Sequence, residues 1–414
     1  MNQFEIKTLS NGIRVVMEHI PFVRSVAMGV YVHSGSRYEA AAVSGISHFI
    51  EHMLFKGTQK RTARDIADEM DAIGGQMNAY TSKEYTCFYA RVLDEHAEIA
   101  LDVLSDMYLN PRFDEADIQK EINVVVEEIS MREDSPDDLV HYVMQRGVWK
   151  GHALGRDIAG TAKTVKSFNQ AILREYYENF YTPENTIISV AGNFSGDMLA
   201  KLEAGFGGLK RGNSTVKLPA KKAVYKPAKQ LVQKKVEQLH LCLGFEGIPY
   251  KSKDGYALSA LLTFFGNGMS SRLYQRIREK HGLVYSIYSY GASSVDTGLV
   301  MIYAALNPES YSRVNELIVD EIKGLSSNPI TADQLYKVKQ QLKSNYLLSL
   351  ESSNSRMASL GRGLMTRGEI TPPNDIIKKI DDINTEQIQA LVERVFDLDR
   401  MSLAAVGEVK DLKE

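Results

Sequence analysis

Cysteine is nearly missing from this chain. Its 414 residues hold two, Cys87 and Cys242, far apart in sequence. A disulfide framework is therefore not what organises the fold, and a reducing cytoplasm fits. A surplus of one charge is missing as well. The 49 Lys and Arg against 52 Asp and Glu leave a net charge of -3, so no global field draws the chain to nucleic acid. No run of 18 apolar residues occurs, and no membrane span is expected. The opening stretch, Met1 to Glu18, scatters Glu5, Lys7, Asn11 and Arg14 among apolar residues. It lacks the basic start and apolar run of a signal peptide. The short glycine cluster Gly266-Asn267-Gly268-Met269-Ser270-Ser271 has no Gly-Lys-Ser/Thr, which rules out a phosphate loop. What remains is 44% hydrophobic and 24% charged, the balance of a folded globular protein of roughly two to three domains by length.

Histidine is scarce too, nine in all, which makes its placement informative. Two histidines stand four apart in His48-Phe49-Ile50-Glu51-His52. A helix over residues 42–56, with Gly57 as its natural stop, puts both imidazoles on one face, one turn apart. From there both reach a single zinc ion. Glu51, directly beside the second histidine, is placed to act as base on a water that the metal activates. H-x-x-E-H is the inverted form of the H-E-x-x-H zinc-peptidase motif, so the implied activity is peptide cleavage.

The chain reads as a diverged duplication. Asn110-Pro111 followed by Asp114-Glu115-Ala116-Asp117-Ile118 and a long helix is matched by Asn328-Pro329, Thr331-Ala332-Asp333-Gln334-Leu335 and another long helix. A helix over 168–181 and a strand over 186–192 are matched by a helix over 385–396 and a strand over 401–407. The offset is about 215 to 218 residues throughout, as expected of two similar domains. The basic stretch from Lys210 to Lys235 has nine Lys or Arg, Pro219, Pro227 and no acid. It reads as a partly extended linker. The expected division is 1–209 with the metal site, 210–235 as linker, and 236–414 as the homologous domain without one.

Within the first half, the apolar run from Val26 to Val32 predicts a strand. Thr62 with Asp65 predicts the start of a helix that ends at Gly74-Gly75. Strands over 76–81 and 85–92, joined through Ser82-Lys83-Glu84, predict a hairpin, followed by helices over 95–109 and 114–132. Strands alternating with helices and hairpins give an α+β fold of two α/β domains, each a mostly antiparallel sheet packed with helices. Two histidines leave zinc one protein ligand short of a catalytic site. The helix over 114–132 is the best source. Glu121 and Glu128 share a face beside the apolar stripe of Ile118, Ile122, Val125 and Ile129. Periodicity alone leaves Glu121, Glu127 and Glu128 all open.

The stretch His48-Phe49-Ile50-Glu51-His52-Met53-Leu54-Phe55-Lys56-Gly57-Thr58 resembles the signature of the pitrilysin and mitochondrial-processing-peptidase family of zinc peptidases. So does Gly74-Gly75-Gln76-Met77-Asn78-Ala79-Tyr80-Thr81, and the resemblance covers nearly the whole chain. It implies that the third ligand lies 76 residues past the second histidine, at Glu128, and that a second essential acid lies seven before it, at Glu121. It implies one zinc per chain held by His48, His52 and Glu128, Glu51 as general base, and Glu121 orienting a ligand or meeting substrate. It further implies that an extended peptide adds beside the strand of Asn78, Ala79 and Tyr80, with Phe55 as a pocket wall. In the second half, Arg278 and Tyr285 match a seven-residue spacing used in the family to bind substrate and stabilise the intermediate. The segment Leu258 to Phe265 carries no ligand. Two-domain members of the family form half of a clamshell and pair. The implied partners are thus peptide substrates and a second copy of this chain, a homodimer whose sites are completed in trans. The glycine cluster is only a stub of the loop that a noncatalytic processing-peptidase subunit carries, so presequence recognition through it is not expected. The competing reading is a noncatalytic scaffold or peptide-binding subunit of the same fold. Such relatives lose ligand residues, and here all of them are present.

Overall fold

Two mixed β-sheets organise the described residues, 4–210 and 222–409, of the computed structural model. In chain order the elements begin with strands β1 (Glu5–Thr8), β2 (Arg14–His19) and β3 (Ser25–Val32), then helices α1 (Ile46–Leu54) and α2 (Ala63–Ala72). The hairpin of β4 (Gln76–Thr81) and β5 (Thr86–Leu93) follows, then α3 (Ala97–Leu109), α4 (Glu115–Asp134), α5 (Pro136–Val148), α6 (Ala162–Val165) and α7 (Gln170–Phe180). Strand β6 (Thr186–Gly192) and α8 (Met198–Phe206) complete the first half. The second half runs β7 (Lys229–Gln233), β8 (Leu239–Glu246), α9 (Gly255–Gly266), β9 (Val284–Ser293), β10 (Gly298–Leu306), α10 (Tyr311–Ser327) and α11 (Ala332–Ser349). It ends with α12 (Ser353–Arg362), α13 (Pro373–Asp381), α14 (Thr385–Val395) and β11 (Ser402–Gly407).

The first sheet has the order β1-β2-β6-β3-β5-β4 and the second β7-β11-β8-β10-β9. One neighbouring pair in each is parallel, β2 with β6 and β7 with β11, and the rest are antiparallel. Without β1 the two orders are the same, as a duplication requires. The local signals act as expected. Thr62 and Asp65 form a reciprocal capping box on α2, each side chain satisfying a backbone amide of the other. The metal-motif helix is shorter than the 42–56 expected. Gly45 adopts φ +97°, which separates a tight turn at Ala41–Val43 from the helix proper at Ile46.

The chain forms two compact units, and neither is continuous. Among the described residues the first unit comprises 4–129, 156–210 and 347–372, and the second comprises 130–155, 222–346 and 373–409. This differs from the continuous division read from sequence. Helix α5 belongs to the second unit and α12 to the first, and part of the expected linker is strand β7. Residues 211–221 of that linker lie outside the described residues.

The exchange answers a packing demand. Strand β3 is apolar on both faces. Val26, Met28, Val30 and Val32 enter the core beneath α1, α3 and α4, while Ala27 and Tyr31 face the other way. A sheet buried on both faces needs two covers. The second cover is α12, through Met357 and Leu360. Its Arg356 pairs with the buried Glu18, and the Ser189 hydroxyl donates to the Met357 carbonyl at 2.8 Å. Gly29 permits the approach, since a Cβ there would collide with the Met357 sulfur. In the second unit α5 covers Cys242, Met301 and Tyr303 through Val140, Val143 and Met144, and a Cβ on Gly244 would collide with the Met144 sulfur.

Candidate metal centre

Helix α1 lies on the first sheet with Phe49, Ile50, Met53 and Leu54 in the core, which turns His48 and His52 the other way, half-buried. Their ring centroids are 4.5 Å apart. Helix α4 brings Glu128 to them. Its Oε2 lies 3.9 Å from His48 Nε2 and 3.7 Å from His52 Nε2. Among the described residues this trio is the one group of three or more His, Cys, Asp or Glu whose donor atoms all come within 4.8 Å of one another. Zinc bonds of about 2.0–2.1 Å in a tetrahedron set donors about 3.3–3.4 Å apart, so the two carboxylate-to-imidazole distances are only slightly longer than those round an ion. Two imidazoles, one carboxylate and an open fourth position form a donor set that zinc takes in hydrolytic sites.

Glu121, one face-repeat earlier on α4, is buried and does a different job. Its Oε1 lies 2.8 Å from His52 Nδ1 and its Oε2 lies 2.6 Å from Lys56 Nζ. With Nδ1–H donating to Glu121, the lone pair of His52 sits on Nε2, the atom that faces Glu128. Burial pulls the Glu121 carboxyl upward, but its bonds to His52 and Lys56 outweigh that and hold it below the usual carboxylate range. Burial likewise disfavours charge on His52, yet the Glu121 hydrogen bond and the Glu128 and Glu51 carboxylates leave its pKa raised. Glu127, which periodicity left open, is exposed.

Glu51 is buried on α1 between the histidines and the sheet. Thr81, the last residue of β4, donates its hydroxyl to Glu51 Oε2 at 2.5 Å. Burial raises the Glu51 carboxyl, the Thr81 bond and His52 work against that, and the Glu128 charge adds to it. At the start of α1, Gly45 offers no cap, and Glu39 takes that place. Its buried carboxylate accepts from the Gly45 amide at 2.7 Å and the Ser47 amide at 2.9 Å. Arg156 donates to the Glu39 carbonyl at 2.5 Å. An anion at a helix N-terminus is stabilising and fixes where the metal helix begins. Sequence reasoning missed Glu39, Lys56 and Thr81 as site residues. Thr81 and Lys56 sit inside the family-like stretches, but Glu39 has no local pattern, because its reach to Gly45 depends on the turn between them.

Among the described residues strand β4 is an open edge, paired with β5 alone. The Ser82 amide donates to the Tyr85 carbonyl at 2.8 Å, which fixes the alternation. Gln76, Asn78 and Tyr80 therefore bond β5, and Met77, Ala79 and Thr81 turn their backbone groups outward. Of Asn78, Ala79 and Tyr80, only Ala79 presents its amide to the edge, and Asn78 Oδ1 accepts from that amide at 2.8 Å. The Tyr80 side chain packs on the face away from the two histidines, beside Tyr85 and Tyr89. Phe55 caps the end of α1 and lines a cavity at this edge. Arg278 and Tyr285 lie in the second unit and meet each other. Arg278, on a π-helical turn (Tyr274–Lys280), sets its guanidinium carbon 5.6 Å from the Tyr285 ring centroid and 5.1 Å from that of Tyr274. Tyr285 is 71% exposed.

Residues 14–162 match the family described as "Insulinase (Peptidase family M16)", and residues 167–342 match its companion, "Peptidase M16 inactive domain". This chain belongs to the M16 peptidase family. The M16 relatives include an uncharacterized zinc protease, YmxG, of Bacillus subtilis, 44% identical over 95% of both chains. Another uncharacterized zinc protease, from Streptomyces coelicolor, is 36% identical over 98% of this chain and 89% of its own. The M16 fold recurs in the crystal structure of a protease from Helicobacter pylori, with a TM-score of 0.92 and 22% identity over 98% of this chain and 100% of that one. It recurs again in a structure from Pseudomonas fluorescens described as a peptidase M16 inactive domain, with a TM-score of 0.91, 20% identity and 99% coverage of both chains. No helix among the described residues is long and apolar enough to cross a membrane.

Proposed function

We propose that this chain is a zinc-dependent endopeptidase acting on unstructured peptides or processing segments. The observation that carries the reading is the orientation of the two histidines. Both Nε2 atoms face one oxygen of Glu128, and Glu121 holds the other nitrogen of His52. His48, His52 and Glu128 would hold one ion, whose Lewis acidity makes a water acidic enough to be deprotonated near neutral pH. Glu51 takes that proton. With Thr81 bonded to Oε2, its Oε1 is the accepting atom, and the same carboxyl returns the proton to the leaving amine. Burial, which raises the Glu51 pKa, suits a group that must carry a proton between two steps. Glu121 and Lys56 keep the His52 ring in place. A peptide pairs along β4 through the outward backbone groups of Met77, Ala79 and Thr81, giving affinity with little demand on sequence. Asn78 releases the Ala79 amide as the peptide arrives.

Arg278 and Tyr285 are assigned to the intermediate, as a cation and a hydroxyl suited to a developing oxyanion. We place them opposite the zinc of a second copy in a homodimer, because one chain carries both the zinc set and this pair. Mixing an inactive Glu51→Gln chain with an inactive Arg278→Ala chain tests that, since mixed dimers regain one intact site if sites form in trans. We place the chain in the cytoplasm, acting on peptides and not on nucleic acid or membranes. Two unpaired, buried cysteines support the location. Digestion of varied unstructured peptides, with and without a chelator, tests the main reading. Cleavage lost on chelation and restored by one equivalent of Zn2+ per chain is the expected result, and binding without turnover is what a peptide-binding subunit would give instead.

A further inference from the structure

A cavity of about 610 Å3 runs along the open edge of β4 and is lined from both faces of the sheet. On the metal face its wall is Phe55, Ile66, Met70 and Met77, all apolar, with Asp71 where α2 ends. The opposite wall differs. Strand alternation assigns its residues to that face. Phe88, Ala90 and Val92 enter the core on the metal side, so Tyr89 and Arg91 point away from it. Register sets Gln76 beside Arg91 and Asn78 beside Tyr89, on the same face. This second wall is therefore Gln76, Asn78, Tyr89, Asn354 and Arg91. It is polar and carries a single full charge. Arg91 is exposed, and among the described residues no carboxylate lies within ion-pair distance of it.

We propose that Arg91 makes this edge groove select peptides with an acidic side chain on the face away from the metal, alternating with apolar side chains on the metal face. The proposal rests on the reading of β4 as the substrate-pairing edge. A strand added beside β4 lies about 4.8 Å from it and about 10 Å from the backbone of β5. A guanidinium reaching out from β5 past Gln76 and a carboxylate reaching back from the peptide close that gap between them. Side chains of an extended peptide alternate between faces, so each one meets a single wall. Apolar groups on the metal face lose water against Phe55, Ile66 and Met70, whereas an acid placed there would meet Asp71. An acid one residue along meets Arg91 instead.

The test walks one Glu, Gln or Lys along an otherwise neutral, unstructured peptide and follows cleavage of each member. With the wild-type chain, one position favours Glu over Lys by about three- to fivefold in kcat/KM, the range of a solvent-exposed ion pair. The difference lies in KM and shrinks at high salt. Arg91→Glu reverses the ranking at that position, Arg91→Gln levels it and Arg91→Lys restores it. The same ranking appears in binding of the intact peptides to a Glu51→Gln chain. An Arg91→Glu chain that cleaves with the wild-type ranking unchanged overturns the proposal and leaves the peptidase reading standing. A wild-type chain with no chelator-sensitive cleavage, beside a Glu51→Gln chain that binds none of the peptides, overturns both.

Discussion

The two units share a sheet order, a helix lent by the other half of the chain and a glycine beneath a methionine of that helix, yet they use the first helix after their central strand in opposite ways. In the second unit, α9 buries Leu258, Leu261, Leu262, Phe264 and Phe265. In the first, α1 gives up such positions to Ser47 and Glu51 and turns two histidines outward. Counted from the start of each helix, Glu121 and Glu128 of α4 correspond to Val338 and Asn345 of α11. Neither the histidine pair nor the glutamate pair is thus needed for the fold. A buried carboxylate is costly unless it is bonded, and the first unit supplies the bonds. Thr81 serves Glu51, His52 and Lys56 serve Glu121, and the Gly45 and Ser47 amides serve Glu39. The difference teaches that chemistry was grafted onto, or shed from, one fixed scaffold, as expected when function lives in sites and not in folds.

The contrast breaks most sharply at Glu51. Glu51→Gln should lower kcat by about 10²–10⁴-fold with zinc content unchanged, read by single-turnover cleavage beside metal analysis. A variant that keeps wild-type turnover would remove Glu51 as the base. Next comes the part that the units share. Met357→Ala and Met144→Ala should each cost about 2–5 kcal/mol in denaturant unfolding, because each empties the contact between a lent helix and its sheet. Equal costs sharpen the equivalence of the units, and a negligible cost for either one breaks it. Glu121→Gln should then weaken zinc binding about 10–100-fold by competition with a chelator, while Val338→Ala leaves it unchanged. The smallest effect belongs to Lys56, one bond further from the metal. Lys56→Met should weaken zinc binding less than about tenfold, below the range for a group bonded directly to a ligand, and Lys56→Arg should restore it.

Much of this was legible in the chain. The period of 3.6 put His48 and His52 on one face, and the period of 2 with Thr62, Asp65 and Gly74 placed α2, β4 and β5 to within about two residues. Local periodicity stopped short at α4. It gathered Glu121 and Glu128 on one face without saying that one touches His52 Nδ1 and the other faces both Nε2 atoms, a difference set by the approach of two helices distant in sequence. The lent helices were hidden for a similar reason. An amphipathic pattern in α5 or α12 tells which side is buried but not which sheet buries it. Glu39 stayed hidden because a capping carboxylate six residues ahead of Gly45 follows no helical or strand period.

The placement of α12 has a consequence for synthesis. By residue 192 every strand of the first sheet has been made, yet the face bearing Ala27, Tyr31 and Cys87 has no cover until Met357 and Leu360 arrive. At ordinary translation rates of about 5–20 residues per second, that face waits roughly 10 to 30 seconds on a growing chain. The unit that carries the candidate metal site is thus closed by a segment, 347–372, made only after the first four strands of the other sheet, with β11 of that sheet still to come.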